Sequence, residues 1–220
     1  MDLATVDKLL TTTRTVRRRL DLTRPVEPAI LQECLEIAIQ APTGGNAQGW
    51  RFVIVTDPDK KARIGELYKE SFAIYARSSL EQSATSGQGE AYERQRGRVA
   101  KSAVYLAQKM GEVPVQVIFC IHGRAADPNP LAQSGLYGSI LPAAWSFMLA
   151  LRARGLGAAW TTLHLRYEQQ VAELLDIPAD VTQTALLPVA YYTGDDFRPA
   201  QRTPAADLTY WDGWGDGLSE

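Results

Sequence analysis

The feature that most limits how this chain can fold is the apolar run from Val113 to Ile121, interrupted only by Pro114 and Gln116. A stretch of this kind, bounded by polar sequence, is the pattern of a strand buried on both faces. Three further segments read as strands: Trp50 to Val55, Leu156 to Leu163 and Ala185 to Tyr192. Helical stripes are spread unevenly between them. One opens near Pro28 and places Ile30, Cys34, Ile37 and Ala41 on one face; a second carries Ile64, Leu67, Phe72 and Ile74 to about Arg77. Others run through Val99, Ala103, Leu106 and Met110, from Ile140 to Arg154 with Gly155 as the stop, and from Tyr167 to Leu175. Several strands therefore lack the crossover helix that a parallel βαβ array needs. The expected class is α+β, with a mixed, largely antiparallel sheet flanked by helices.

Charge and composition narrow the function. The 23 basic side chains are offset by 25 acidic ones, a net charge of −2 that argues against a nucleic-acid partner. The sequence holds no stretch of 18 apolar residues, and MDLATVDKLL does not read as a signal peptide, so neither a membrane span nor export is expected. The expected location is cytoplasmic. At 220 residues the chain is read as a single domain, 1–220. Residues 78–98, polar and without an apolar stripe, are expected to form a variable, lid-like excursion, and 193–220 an extended tail. The tail aromatics Tyr210, Trp211 and Trp214 need a surface to cover, on the same subunit or on a partner.

Catalytic side chains are scarce, with two histidines and two cysteines. Gly155-Leu156-Gly157 follows a helix rather than a strand and has Trp160 where a dinucleotide fingerprint needs its third glycine. Walker, zinc-ligand and nucleophile-elbow patterns are missing from the sequence. Cys34 and Cys120 fall within apolar patterns and read as core. His164 follows a strand and reads as a core residue more readily than as a ligand contact.

Two polar clusters are more informative, and neither is built for acid–base work. Arg14, Arg17, Arg18 and Arg19, with Thr15 among them, form either a solvated basic patch or a cradle for a phosphate. Pro42-Thr43-Gly44-Gly45-Asn46, followed by Gln48 and Gly49, precedes the first strand and can bring main-chain amides close to a flat polar ligand. Arg198 and Arg202 add a third basic site in the tail. Together the three suit a ligand carrying both a phosphate and a polar ring.

Taken in order, Arg14-Thr15-Val16-Arg17, Ala41 to Phe52 (APTGGNAQGWRF) and Gly155 to Thr162 (GLGAAWTT) resemble the FMN-dependent nitroreductase family. The family's usual wording is R-R-S-x-R, then A-P-S-x-x-N-x-Q-P-W, then a late G-L-G. The likeness spans nearly the whole chain and is most specific in the middle loop. Thr13 stands where the first arginine of the opening motif is usual, and Gly49 replaces the proline before Trp50.

The resemblance implies a domain-swapped homodimer with FMN at its interface. It places Arg14 and Thr15 at the FMN phosphate and ribityl chain, and Arg17 at the pyrimidine edge of the ring. Pro42, Thr43, Gly44 and Asn46 would line the ring and ribityl from the other subunit. Trp160, Thr161 and Thr162 would border the flavin with main-chain groups, one amide facing N5. Arg202, with Arg198 beside it, would close on the phosphate, and Arg98 or Lys109 would approach the carbonyl edge. The implied activity passes hydride from NADH or NADPH through flavin N5 to a small electron-poor acceptor such as a nitroaromatic or quinone, with no catalytic side chain and no metal. Dehalogenation, oxidation or flavin cleavage on the same fold, a deazaflavin reductant, and flavin binding without turnover are the alternatives.

Overall fold

The structure is a computed structural model that describes residues 2–83, 90–124 and 129–215. The chain divides into two compact units, one comprising residues 1–12 with 195–220 and the other Thr13–Gly194. In the smaller unit, helix α1 (Leu3–Thr12) belongs with the tail, and Lys8 pairs with Asp196 at 2.7 Å. The Tyr210 and Trp214 rings lie 4.8 Å apart, and Trp214 is 92% exposed.

In the larger unit the elements run α2 (Pro28–Ala38), β1 (Trp50–Val55), α3 (Pro58–Ser83), α4 (Glu90–Lys109), β2 (Val115–His122), α5 (Pro130–Gly138), α6 (Leu141–Ala153), β3 (Leu156–Ala158), α7 (Glu168–Leu175) and β4 (Val181–Tyr191). The four strands form one sheet in the order β1-β2-β4-β3, and each neighbouring pair is antiparallel. All residues of β4 are buried, as expected of an inner strand. Pro188 is tolerated there because main-chain N–H and C=O groups of one residue point the same way. Its carbonyl accepts the Ala159 amide on the β3 side, so the missing donor takes nothing from the pairing with β2.

Strand alternation sends Val115, Val117, Phe119 and Ile121 to one face, with Ala185, Leu187 and Val189 of β4. Helices α2 and α6 cover this face with Leu31, Cys34, Leu35, Phe147 and Leu151, and the Phe119 ring sits 5.4 Å from Phe147. Gln116, Ile118 and Cys120 point the other way. There Gln116 Nε2 donates to the carbonyls of Lys61 and Met110, and Ile64, Leu67 and Tyr68 of α3 are buried with Leu106 of α4.

Three expectations need correction. The helices on either side of the expected excursion run further into it than Arg77 and Val99: 78–83 continue α3 and 90–98 begin α4, with 84–89 outside the described residues. Glu, Gln, Arg and Ala favour the helix by intrinsic propensity, and a helix that is not core-facing needs no apolar stripe. The third strand ends at Ala158, where Thr161 makes one further bridge to Leu186 and the chain turns into a 3₁₀ helix at Leu163. Finally, the helical region opens at Pro130 rather than Ile140. Ser139 and Ile140 break it into two helices, and the second is the core helix α6.

Candidate functional site

The Arg14–Arg17 segment lies along the outer edge of β3. Val16 is buried, and its amide donates to the Ala158 carbonyl at 2.9 Å. The close approach requires glycine at position 157, because a Cβ there would sit 2.9 Å from Val16 Cβ. With Val16 turned inward, Thr15 and Arg17 flank it half-buried, and Arg14 is exposed.

Arg17 Nη1 donates to Ser102 Oγ of α4 at 3.3 Å, and Ser102 Oγ in turn donates to the Val99 carbonyl. Burial pulls the Arg17 pKa below its ordinary value, while Tyr68 and Tyr75 of α3 act the other way. Among the described residues no carboxylate pairs with this guanidinium. A half-buried cation without a counter-charge is costly to keep, so the surroundings favour an incoming negative group.

Beyond β3 the chain offers amides to the same edge. Thr161 exchanges both main-chain bonds with Leu186, at 3.1 and 2.8 Å. In an antiparallel pair the residues on either side then direct their main-chain groups away from the partner strand. Trp160 therefore presents its main-chain groups outward, as does the Thr162 amide, while the Thr162 carbonyl accepts the Leu165 amide at 3.0 Å; Thr162 is exposed. Thr161 itself faces the core: its Oγ1 donates to Tyr68 Oη at 3.1 Å and accepts the Leu163 amide at 3.4 Å.

The Pro42–Gln48 loop sits elsewhere. It holds three residues with positive φ, Gly45 (58°), Asn46 (52°) and Gln48 (50°). Its geometry is fixed by internal bonds, including Gln48 N to Thr43 Oγ1 at 3.2 Å. Ser139, at the α5–α6 junction, ties it down by accepting from the Gly44 amide through Oγ and from Trp50 Nε1 through its carbonyl. Strands β1 and β3 are the two outer strands, three intervals apart, or about 14 Å. Along the strands, Trp50 is in register with Ile121 and Thr182, whereas Val16 joins Ala158 opposite Val189. That offset adds about 23 Å at ~3.3 Å per residue, so within one chain the loop and the arginine segment occupy diagonal corners of the sheet.

Arg198 and Arg202 belong to the smaller unit. Of the two α4 candidates, Arg98 is four residues before Ser102 and so shares its face, whereas Lys109 pairs with Glu112 at 2.8 Å at the end of the helix. Cys34 and Cys120 are buried, and burial pushes their thiols up to about 11 and about 12, which suits core residues. His164 is fully buried, without a hydrogen-bond partner among the described residues, and burial lowers it to about 3. Sequence reading missed Tyr68, Ser102 and Ser139. A signal for the first existed: Tyr68, Ser71, Phe72 and Tyr75 fall on one helical face. Ser71 on that face is buried with its hydroxyl unpartnered among the described residues.

A cavity of about 330 Å³, lined by residues 22–26, Thr56, Lys61, Glu112, Pro114 and Val115, contains none of these groups.

Basic residues at the β3 edge, a guanidinium without a carboxylate partner among the described residues and outward amides are groups able to receive an anionic ligand. The nitroreductase family model matches residues 10–191, and the chain belongs to that family. It is 28% identical over 192 residues to an iodotyrosine deiodinase of Thermotoga neapolitana, covering 84% of this chain and 87% of the relative. It is also 28% identical to a 5,6-dimethylbenzimidazole synthase of Rhodospirillum rubrum, covering 76% of this chain and 73% of the relative. A crystal structure of oxidized iodotyrosine deiodinase bound to FMN and 3-iodo-L-tyrosine superposes with a TM-score of 0.65 at 23% identity, over 87% of this chain and 92% of that one. That likeness is one of fold.

Proposed function

We propose that this chain is an FMN-dependent oxidoreductase that works as a homodimer, drawing reducing equivalents from NADH or NADPH and passing them to a small electron-poor acceptor. The observation that carries the reading is Arg17, half-buried without a carboxylate among the described residues. FMN, when bound, supplies the hydride-accepting and hydride-donating centre. The donor set fits it: cations and a threonine hydroxyl for the phosphate end, and a lone guanidinium with outward amides for the ring.

In this reading Arg14 and Thr15 hold the phosphate and ribityl. Arg17 sets positive charge beside the pyrimidine edge, where reduction builds negative charge. The main chain at Trp160 and Thr162 orients the ring. Pro42, Thr43, Gly44 and Asn46 sit at the far corner of their own sheet, so they serve the site of a second copy. An apolar surface is available for that contact. Helix α5 buries none of its residues, Leu131 is 81% exposed and Trp145 of α6 is 39% exposed. Arg98, on the Ser102 face of α4, lies toward the acceptor side.

A second reading, reductive dehalogenation, is favoured by the deiodinase relative that matches most of both chains. There an aryl halide would take two electrons and a proton and release halide. The test is purification followed by flavin spectroscopy and anaerobic mixing with NADH and NADPH. The expected protein carries FMN in about one equivalent per chain and is bleached by one of the nucleotides. Reoxidation by a nitroaromatic, a quinone or 3-iodotyrosine then separates the readings. A colourless protein that takes up no FMN on reconstitution refutes both.

A further inference from the structure

We infer that Tyr68 is a positioning residue for the flavin site, acting through Thr161; this rests on the reading that the β3 edge holds FMN. The Tyr68 side chain leaves α3 into the core and is 4% exposed. Its hydroxyl oxygen accepts from Thr161 Oγ1 at 3.1 Å, a bond made wholly inside the protein. Thr161 is the last residue with sheet bonding before the chain turns into the 3₁₀ helix at Leu163. The direction of the Thr162 amide therefore depends on how Thr161 is held.

Thr161 is held at three points. Leu186 takes both of its main-chain groups, the Leu163 amide donates to its hydroxyl oxygen, and Tyr68 accepts its hydroxyl proton. Among the described residues only the Tyr68 hydrogen bond links this turn to α3. Burial raises the Tyr68 pKa and the Arg17 charge acts the other way, so phenol and guanidinium sense each other electrostatically. One neutral side chain thus bonds to the turn that sets the Thr162 amide and acts electrostatically on the guanidinium at the proposed pyrimidine edge. Removing the phenol oxygen leaves the Thr161 hydroxyl buried without an acceptor. The threonine can then recover a partner only by turning its side chain, which tilts the adjoining amides. It also removes an electron-rich oxygen that acts electrostatically on Arg17, so the positive charge at the ring edge is less tempered.

The experiment compares Tyr68→Phe, Thr161→Val, the double variant and Thr161→Ser. FMN dissociation constants, the two-electron flavin potential and apoprotein melting are measured on each. Tyr68→Phe and Thr161→Val are expected to shift the flavin's reduction equilibrium or its affinity about tenfold, ~30 mV for a two-electron couple. The double variant should be no worse than the poorer single one, since both remove the same bond. Thr161→Ser keeps the hydroxyl and should match the wild type. A merely structural bond would lower melting and leave potential and affinity unchanged, and that result overturns the inference. Should Tyr68→Phe fail to fold, Thr161→Val and Thr161→Ser pose the same question from the other partner. Failure of the wild type to bind FMN refutes the functional reading as well; FMN binding with unchanged variants refutes only the role of Tyr68.

Discussion

Substituting Gly157 by alanine tests the packing that places the arginine segment. The added Cβ would lie 2.9 Å from both Val16 Cβ and Cγ2 and 3.2 Å from Cγ1. Rotating Val16 does not relieve the contact, since Cβ is fixed to the main chain. The backbone must therefore move, by roughly 0.5–1 Å to restore an ordinary carbon–carbon separation. The bond from Val16 N to Ala158 O, now 2.9 Å, would then stretch to the limit of useful geometry. Overpacking of this kind costs about 1–3 kcal/mol and the lost bond about 1 kcal/mol more. For a unit of this size the sum of about 2–4 kcal/mol corresponds to a melting temperature lower by roughly 4–16 °C. FMN affinity should fall at least tenfold, because Thr15 and Arg17 move with Val16. Thermal unfolding of the apoprotein and a fluorescence titration with FMN read the two effects. Placing Gly157→Ala on a Val16→Ala background should reduce its cost, because two of the three close contacts involve the removed methyl groups. A Gly157→Ala protein that melts within a degree of the wild type and binds FMN equally well would refute the reasoning.

Three other perturbations bear on the site and the interface. Arg17→Met should leave apoprotein melting unchanged or slightly raised, since it removes an uncompensated charge, while FMN affinity falls tenfold or more; equal affinity by titration would remove Arg17 from the site. His164 is held at about 3, below its unfolded value near 6.5, so the unfolded chain binds the extra proton between those limits. Stability from this group is present above pH 6.5 and is lost as pH falls toward 3; His164→Leu should flatten that part of the melting-versus-pH curve, and an unchanged difference between variant and wild type across pH 4–7 would count against it. Leu131→Asp combined with Trp145→Asp should yield a monomer by sedimentation and reduce FMN occupancy, whereas an unaltered association state would exclude this face from the dimer contact.

The candidate site was legible in sequence where its chemistry is local. Arg14, Thr15 and Arg17 are contiguous, and so are Pro42 to Asn46, so their residue types alone suggested an anion and a flat ring. Tyr68, Ser102 and Ser139 were not legible, because each reaches its partner across a large chain separation. Tyr68 meets Thr161 only when α3 lies on the sheet, and Ser102 meets Arg17 only when α4 packs beside it. The ends of α3 and α4 within 78–98 were not legible, because apolar periodicity reports burial rather than helicity.

By itself the sequence determined four strands and the helices that bury an apolar stripe. These follow from side-chain periodicity and residue type, which act over a few neighbours. The tertiary structure decided which of the polar residues belong together. It set Val16 against Gly157, left Arg17 without a carboxylate among the described residues, turned Thr161 inward toward Tyr68, and put the Pro42–Asn46 loop at the opposite corner from Arg17. The reason is strand order: β1 and β3 become opposite edges only once β2 and β4 pair between them, and no local pattern encodes that pairing.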